Sequence, residues 1–210
     1  MKLLIVGYSR IAARAIIPAL RGHPLVQLVG IASKRNYPKI PSPVAAYASY
    51  EEGMRLTPAD TVYISLHNSA HFPLIMMALN RDKHVIVDKP SVLTKREARY
   101  CLTKAGKKLF VLESLPYLEH PQYTVITRLL HTSPQLITAH FGFPRLPPSD
   151  FRNDPNLGGG VIADLCPYLS SLGQYFFKRR ATHVSARILS YTAKRAPMIA
   201  TISISYGMNK

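Results

Sequence analysis

Five short stretches of this chain are apolar, and helical segments separate them. The apolar stretches are Leu3 to Val6, Val26 to Ala32, Thr61 to Leu66, Val85 to Val87 and Lys108 to Leu112. Val85, Ile86 and Val87 are adjacent β-branched residues that leave no polar face, as a strand buried on both sides requires and a helix disfavours. Between these stretches lie helical segments at Ala13 to Leu20, from Ser49-Tyr50-Glu51-Glu52, at Phe72 to Asn80 and at Lys95 to Lys104. Pro18 predicts a bend or an early end in the first of them. Strands alternating with helices at short spacing predict an α/β fold with a doubly wound parallel sheet.

After Leu115 the pattern changes. A helical segment begins near Pro121, and Leu136 to Phe143 alternate apolar and polar residues as a strand with one exposed face does. A loop rich in proline and polar residues, Pro144 to Asn156, leads to Gly158-Gly159-Gly160 and a helix over Val161 to Phe177. Thr182 to Tyr191 and Met198 to Tyr206 alternate again, predicting an antiparallel meander of about three strands in all. The expected division is a dinucleotide-binding domain over 1–115 and a partial α+β domain over 116–210. The second sheet is small enough to leave an open edge, a template for pairing with a partner or a copy of the chain.

Composition narrows the function classes. The 27 Lys+Arg against 11 Asp+Glu give a formal net charge of +16, which attracts polyanions, phosphorylated cofactors included. The cations are scattered, with short clusters at Lys107-Lys108 and Lys178-Arg179-Arg180, and no run has the length of a nucleic-acid-binding tail. Nucleic acid is therefore not the expected partner. Cys101 and Cys166 have no metal-ligand spacing, so no metal site is expected, and their isolation suits a reducing compartment. No apolar run approaches the roughly 20 residues of a membrane span; the expected location is the cytoplasm.

The carboxyl ends of the predicted strands collect the candidate chemistry. Leu3 to Val6 run into Gly7-Tyr8-Ser9-Arg10-Ile11-Ala12, a strand, tight turn and helix start of the kind that receives a pyrophosphate on backbone N–H groups. The glycine pattern is degraded: Ser9 stands where backbone would approach phosphate, and Ala12 stands at the packing position. The second strand ends in Ser33-Lys34-Arg35. An acid there would prefer the free 2′-hydroxyl of NAD; a hydroxyl and two cations suit the 2′-phosphate of NADP, or form a merely solvated basic loop. Leu66, His67, Asn68 and His71 end the third stretch and open a helix. His84 to Pro90 ends the fourth, where Pro90 stops the strand and restricts Lys89. That lysine is either a solvated terminus or an ammonium aimed at a substrate oxygen, and Glu113 is a strand terminus or a site carboxylate. Asp164 and Tyr168 lie one helical turn apart on one face.

In order and spacing, these motifs resemble the glucose-fructose oxidoreductase, inositol dehydrogenase and rhizopine-catabolism family of nicotinamide-dependent enzymes. The likeness rests on the Gly7 turn, Ser33-Lys34-Arg35, Asn68-Ser69-Ala70-His71, the run Lys83 to Pro90 and the stretch Gly158 to Asp164, and covers nearly the whole chain. Lys83 to Pro90 is similar to the family's Gly-Lys-His-Val-x-x-Glu-Lys-Pro signature, with Asp82 and Asp88 as departures. The resemblance implies that Lys89 is the active-site lysine near nicotinamide and substrate hydroxyl. It also places Tyr168 where the family usually has histidine, a place some sugar ketoreductases fill with tyrosine.

The expected activity is hydride transfer between NADP, or NAD, and a secondary alcohol or ketone of a sugar-like or small polar substrate. In that reading Lys89 polarises the substrate oxygen, Tyr168 moves the proton and Asp164 orients substrate hydroxyls. Gly7, Ser9, Arg10, Ile11, Ala12, Ser33, Lys34, Arg35, Leu66, His67, Asn68, His71, Asp88 and Lys89 would face the cofactor. His71 is expected to cap its helix or border the nicotinamide ribose, and His67 to be a solvated turn residue. The alternative is a non-catalytic accessory protein that keeps the cofactor fold. The family's second domain normally has a larger antiparallel sheet used in oligomerisation. The chain is thus expected to be a fragment, or a short form completed by a homo-oligomer or other partner.

Overall fold

A computed structural model describes residues 1–34, 43–132 and 134–207. The chain divides into two compact units, Met1–Ser114 and Leu115–Lys210.

The first unit is a six-stranded parallel sheet in the order β3-β2-β1-β4-β5-β6. Its strands are β1 (Lys2–Val6), β2 (Gln27–Ala32), β3 (Ala45–Tyr47), β4 (Thr61–Ile64), β5 (His84–Asp88) and β6 (Val111–Ser114). Helices α2 (Tyr50–Leu56), α3 (His71–Leu79) and α4 (Lys95–Ala105) lie among them in sequence. Successive β1 side chains go to opposite faces. Leu4 and Val6 join a core with Met54, Ile75, Leu79 and Cys101, and Leu3 and Ile5 join a second with Ala12, Ile16 and Leu20. Both faces are thus covered, as a parallel sheet needs. The order reverses between β1 and β4, and the crevice outside the carboxyl ends of the strands at that switch is where such sheets bind ligands.

Local sequence explains most boundaries. Ser49 caps α2 by accepting the Glu52 N–H, and Thr94 with Glu97 forms a reciprocal capping box on α4. The helical run over 10–20 contains a π-type turn, Ala12–Ile16, before the short α1 (Ile17–Leu20). Pro18 lies inside this run and has no N–H to give to the turn before it, and the run ends two residues later at Leu20. The short edge strand β3 has no strong apolar signal. It forms because Ala45 to Tyr47 lie in register beside Gly30 to Ala32 of β2.

In the second unit, α5 (Pro121–Leu129) precedes α6 (Val161–Phe177), and β7 (Ala181–Tyr191) pairs antiparallel with β8 (Pro197–Tyr206). Among the described residues these two strands are the whole sheet, not three. Leu136 to Phe143, expected as a strand, have no ladder. Residues Ile137 to Gly142 border a cavity of about 750 Å³ whose other walls are α6 and β8. Alternating chemistry makes a strand only where a neighbouring backbone lies within hydrogen-bonding distance, and here the cavity intervenes.

Candidate active site

The turn after β1 is shaped by its one glycine. Gly7 is buried with φ +96°, and a Cβ there would run into the Ser65 carbonyl and the Leu66 side chain, so this position admits glycine alone. Ser9 does not point its hydroxyl outward. Its Oγ lies 2.6 Å from Ser65 Oγ and accepts the Ala12 N–H at 3.0 Å. Arg10 and Ile11, the first residues of the helical run, are exposed, and Ala12 is buried against the sheet. The N–H groups that begin a helix have no intrahelical partner and suit an anion.

At the end of β2, Ser33 is buried and donates its backbone N–H to Tyr47 at 2.9 Å. Lys34 is exposed and carries its ammonium 5.2 Å from the centre of the Tyr50 ring. That contact uses the ring's negative face and leaves the cation at the surface. Arg35 lies outside the described residues.

Beyond β4, Leu66 and His67 are half-buried and Asn68 is buried. His67 bonds Ser69 through Nδ1 at 3.0 Å. Burial, and secondarily the charge of His71, hold the His67 pKa below its ordinary value. His71 is fully buried, with Nδ1 2.7 Å from the Pro90 carbonyl and Nε2 3.2 Å from that of Leu66. Both partners are carbonyl oxygens that only accept, so the ring is the donor between them. Rather than merely capping α3, His71 ties the end of β4 to the bend after β5.

That bend is clamped from several directions. The Lys89–Pro90 peptide is cis and Lys89 is half-buried. Asp88 receives the Tyr63 hydroxyl on Oδ1 at 2.5 Å and the Ser65 hydroxyl on Oδ2 at 2.6 Å. Burial, then the Asp88 charge, push the Tyr63 phenol far above its ordinary range, so Tyr63 remains a donor. Glu113 accepts the Ser91 N–H at 2.9 Å, which makes its carboxylate a brace for the chain after Pro90. Neither Tyr63 nor Ser65 stands out in the sequence as a site residue. Their signal is positional: hydroxyls on one face at the end of a buried strand, Ser65 level with the acid on the next strand and Tyr63 two residues before it.

In the second unit Asp164 is buried on the first turn of α6, and its Oδ2 accepts from Arg152 Nε at 3.1 Å. Arg152 also reaches Asp150 at 3.2 Å. A single arginine in a proline-rich loop gave no signal of this pairing. The Tyr168 ring stacks on Phe141 at 4.9 Å and meets Tyr117 edge-on at 5.4 Å. Tyr117 bonds Ser171 Oγ at 2.5 Å and donates to the Tyr168 carbonyl at 3.2 Å, and burial raises its pKa.

Residues 1–113 match the oxidoreductase family with the NAD-binding Rossmann fold, and residues 133–208 match the GFO/IDH/MocA C-terminal domain. The chain belongs to the GFO/IDH/MocA oxidoreductase family. Among family relatives is a dTDP-3,4-didehydro-2,6-dideoxy-α-D-glucose 3-reductase of Streptomyces antibioticus, 29% identical over 78% of this chain and 53% of its own. Another is a D-xylose 1-dehydrogenase (NADP+) of Haloferax volcanii, 31% identical over 82% of this chain and 56% of its own. The fold is shared with a 3-ketoreductase from Actinomadura kijaniata crystallised with NADP and TDP-benzene. That structure superposes with a TM-score of 0.78 at 24% identity, over 88% of this chain and 60% of that one. The chain spans little more than half the length of these GFO/IDH/MocA relatives. Among the described residues, no helix is long and apolar enough to cross a membrane.

Proposed function

We propose that this chain acts as an NADP-dependent oxidoreductase on a secondary alcohol or ketone of a sugar-like substrate. The observation that carries this reading is the bend at Lys89. The backbone of a lysine is held at the carboxyl end of β5, on the same sheet edge as the glycine turn, by bonds to both residues that flank it. The buried Gly7 and the exposed start of the helical run fit a pyrophosphate there. Ser33 and Lys34 offer a hydroxyl and a cation, with no acid to repel a 2′-phosphate. The xylose dehydrogenase relative is named for NADP, and the reductase relative acts on a nucleotide-linked ketosugar.

When bound, the nicotinamide supplies or accepts the hydride. Lys89 stabilises the negative charge that develops on the substrate oxygen. Tyr168 is assigned the proton delivered to that oxygen, and Asp164, braced by Arg152, is assigned the substrate hydroxyls.

Fluorescence titration with NADPH and NADH, followed by a scan of free and nucleotide-linked ketosugars for loss of reduced cofactor, tests the reading. Tighter binding of NADPH and turnover of at least one ketosugar are expected. Lys89→Ala should lower kcat by about 100-fold or more with NADPH affinity within a few-fold of wild type. Preference for NADH, or an unimpaired Lys89→Ala variant, overturns the assignment. Binding without any turnover points to the accessory role instead.

A further inference from the structure

The departures from the family pattern at Ser9 and Asp88 are joined in space. Ser65 has one hydroxyl proton, and the Asp88 carboxylate, an acceptor, receives it at 2.6 Å. Ser65 Oγ can then only accept from Ser9, 2.6 Å away, so the Ser9 proton is also committed. The remaining lone pairs of Ser9 accept the Ala12 N–H at 3.0 Å. The hydrogen bonds therefore run one way, from Ala12 N–H through Ser9 and Ser65 to Asp88. Bonds chained in one direction polarise each other, and the charge-assisted terminal bond anchors the series.

Sheet register explains why these residues meet. Val6 lies beside Ile64 and Ile64 beside Val87, so the next residues, Gly7, Ser65 and Asp88, form one row across β1, β4 and β5. Asp88 itself pairs with Ser114 of β6. Tyr63, two residues before Ser65 on the same face of β4, takes the other carboxylate oxygen. Both oxygens of Asp88 are thus directed inward along the sheet edge, and the backbone of the following residue, Lys89, is set by that attachment.

We propose that Asp88 is a positioning residue that holds the phosphate-receiving turn through Ser65 and Ser9, so that the cofactor turn and the Lys89 bend are ordered as one unit. This rests on the cofactor reading above. Two consequences follow from the direction of the chain. The Ser9 hydroxyl braces the turn and gives no bond to phosphate, leaving that to backbone N–H groups. Asp88, acting through Ser65 and Ser9, sets the affinity of the turn for cofactor.

A double-mutant cycle in the full chain tests this, with NADPH affinity read by fluorescence and circular dichroism confirming the fold. Ser9→Ala and Asp88→Asn should each weaken NADPH binding by about tenfold, and the double variant should be no weaker than either single one. Ser9→Thr, which keeps the hydroxyl, should recover most of the affinity that Ser9→Ala loses; a defect of packing alone would not be rescued this way. Ser9→Ala should also lower kcat on a ketosugar while leaving the KM for that sugar unchanged. Additive losses, or a Ser9→Ala variant that binds as wild type does, overturn the coupling while the cofactor reading stands. A wild-type chain that binds no NADPH overturns both.

Discussion

The two sheets of this molecule are built on opposite terms. Val85 and Val87 of β5 are fully buried, as are Leu4, Ile5 and Val6 of β1, because helices cover both faces. In β7 every residue except Ser190 is exposed, Val184 at 58%, while β8 alternates exposed and half-buried positions, Ala200, Ile202 and Ile204 being the more buried. Polar groups differ in the same way. At the edge of the parallel sheet they are joined end to end through Ser9, Ser65, Asp88 and Tyr63. Around α6 the cluster is aromatic, with Tyr168 in contact with both Tyr117 and Phe141. A sheet covered on two sides fixes side chains by packing and so can hold a lysine in place. A hairpin covered on one side leaves that to the elements laid against it.

The contrast predicts unequal costs for truncation to alanine in the two sheets. Ile64→Ala removes a fully buried side chain from β4 and should cost about 2–5 kcal/mol in urea unfolding. Val184→Ala on β7 should stay within about 0.5 kcal/mol; comparable losses would erase the distinction between the sheets. A smaller effect is expected where the second unit is tightly packed. A Cβ on Gly173 of α6 would run into the Tyr206 side chain, which is stacked on Phe177 at 4.8 Å. Gly173→Ala should therefore cost about 1–3 kcal/mol, and combined with Tyr206→Ala it should cost clearly less than the sum of the two.

The smallest effect is a pH dependence at the edge of the first sheet. The folded chain holds the His67 pKa below its ordinary 6.5, so the unfolded chain takes up this proton first as pH falls. Between about 6.5 and the lowered value the unfolded state binds more protons, and stability drops on acidification. The urea midpoint of wild type should fall slightly more between pH 7 and 5 than that of His67→Gln. Parallel curves would mean that the environment of His67 does not distinguish its charge states.

Legibility followed the same division. The parallel strands were visible because burial on two faces demands uninterrupted apolar runs, and Lys89 because a proline ends one of them. Leu136 to Phe143 show the converse: the alternation is present, but alternation specifies a face to bury and not a backbone to pair with. The degraded glycine turn was legible as a turn, yet the work of Ser9 was not, since its partner Ser65 is 56 residues away. Asp164 was legible as a polar residue on α6; its pairing with Arg152 depends on the path of an irregular loop, which has no periodicity to read.

By itself the sequence determined the α/β class, the alternation of strand and helix, the turn at Gly7 and the placing of Lys89 at a strand end. Those follow from local steric preference and from the period of apolar residues. Tertiary structure alone decided that Asp88 is bound by Tyr63 and Ser65, that His71 grips the Pro90 carbonyl, and that Ser9 faces inward. Each depends on which strands are neighbours and in what register, and hydrogen bonds act only over about 3 Å. The order β1, β4, β5 brings these distant residues within that range.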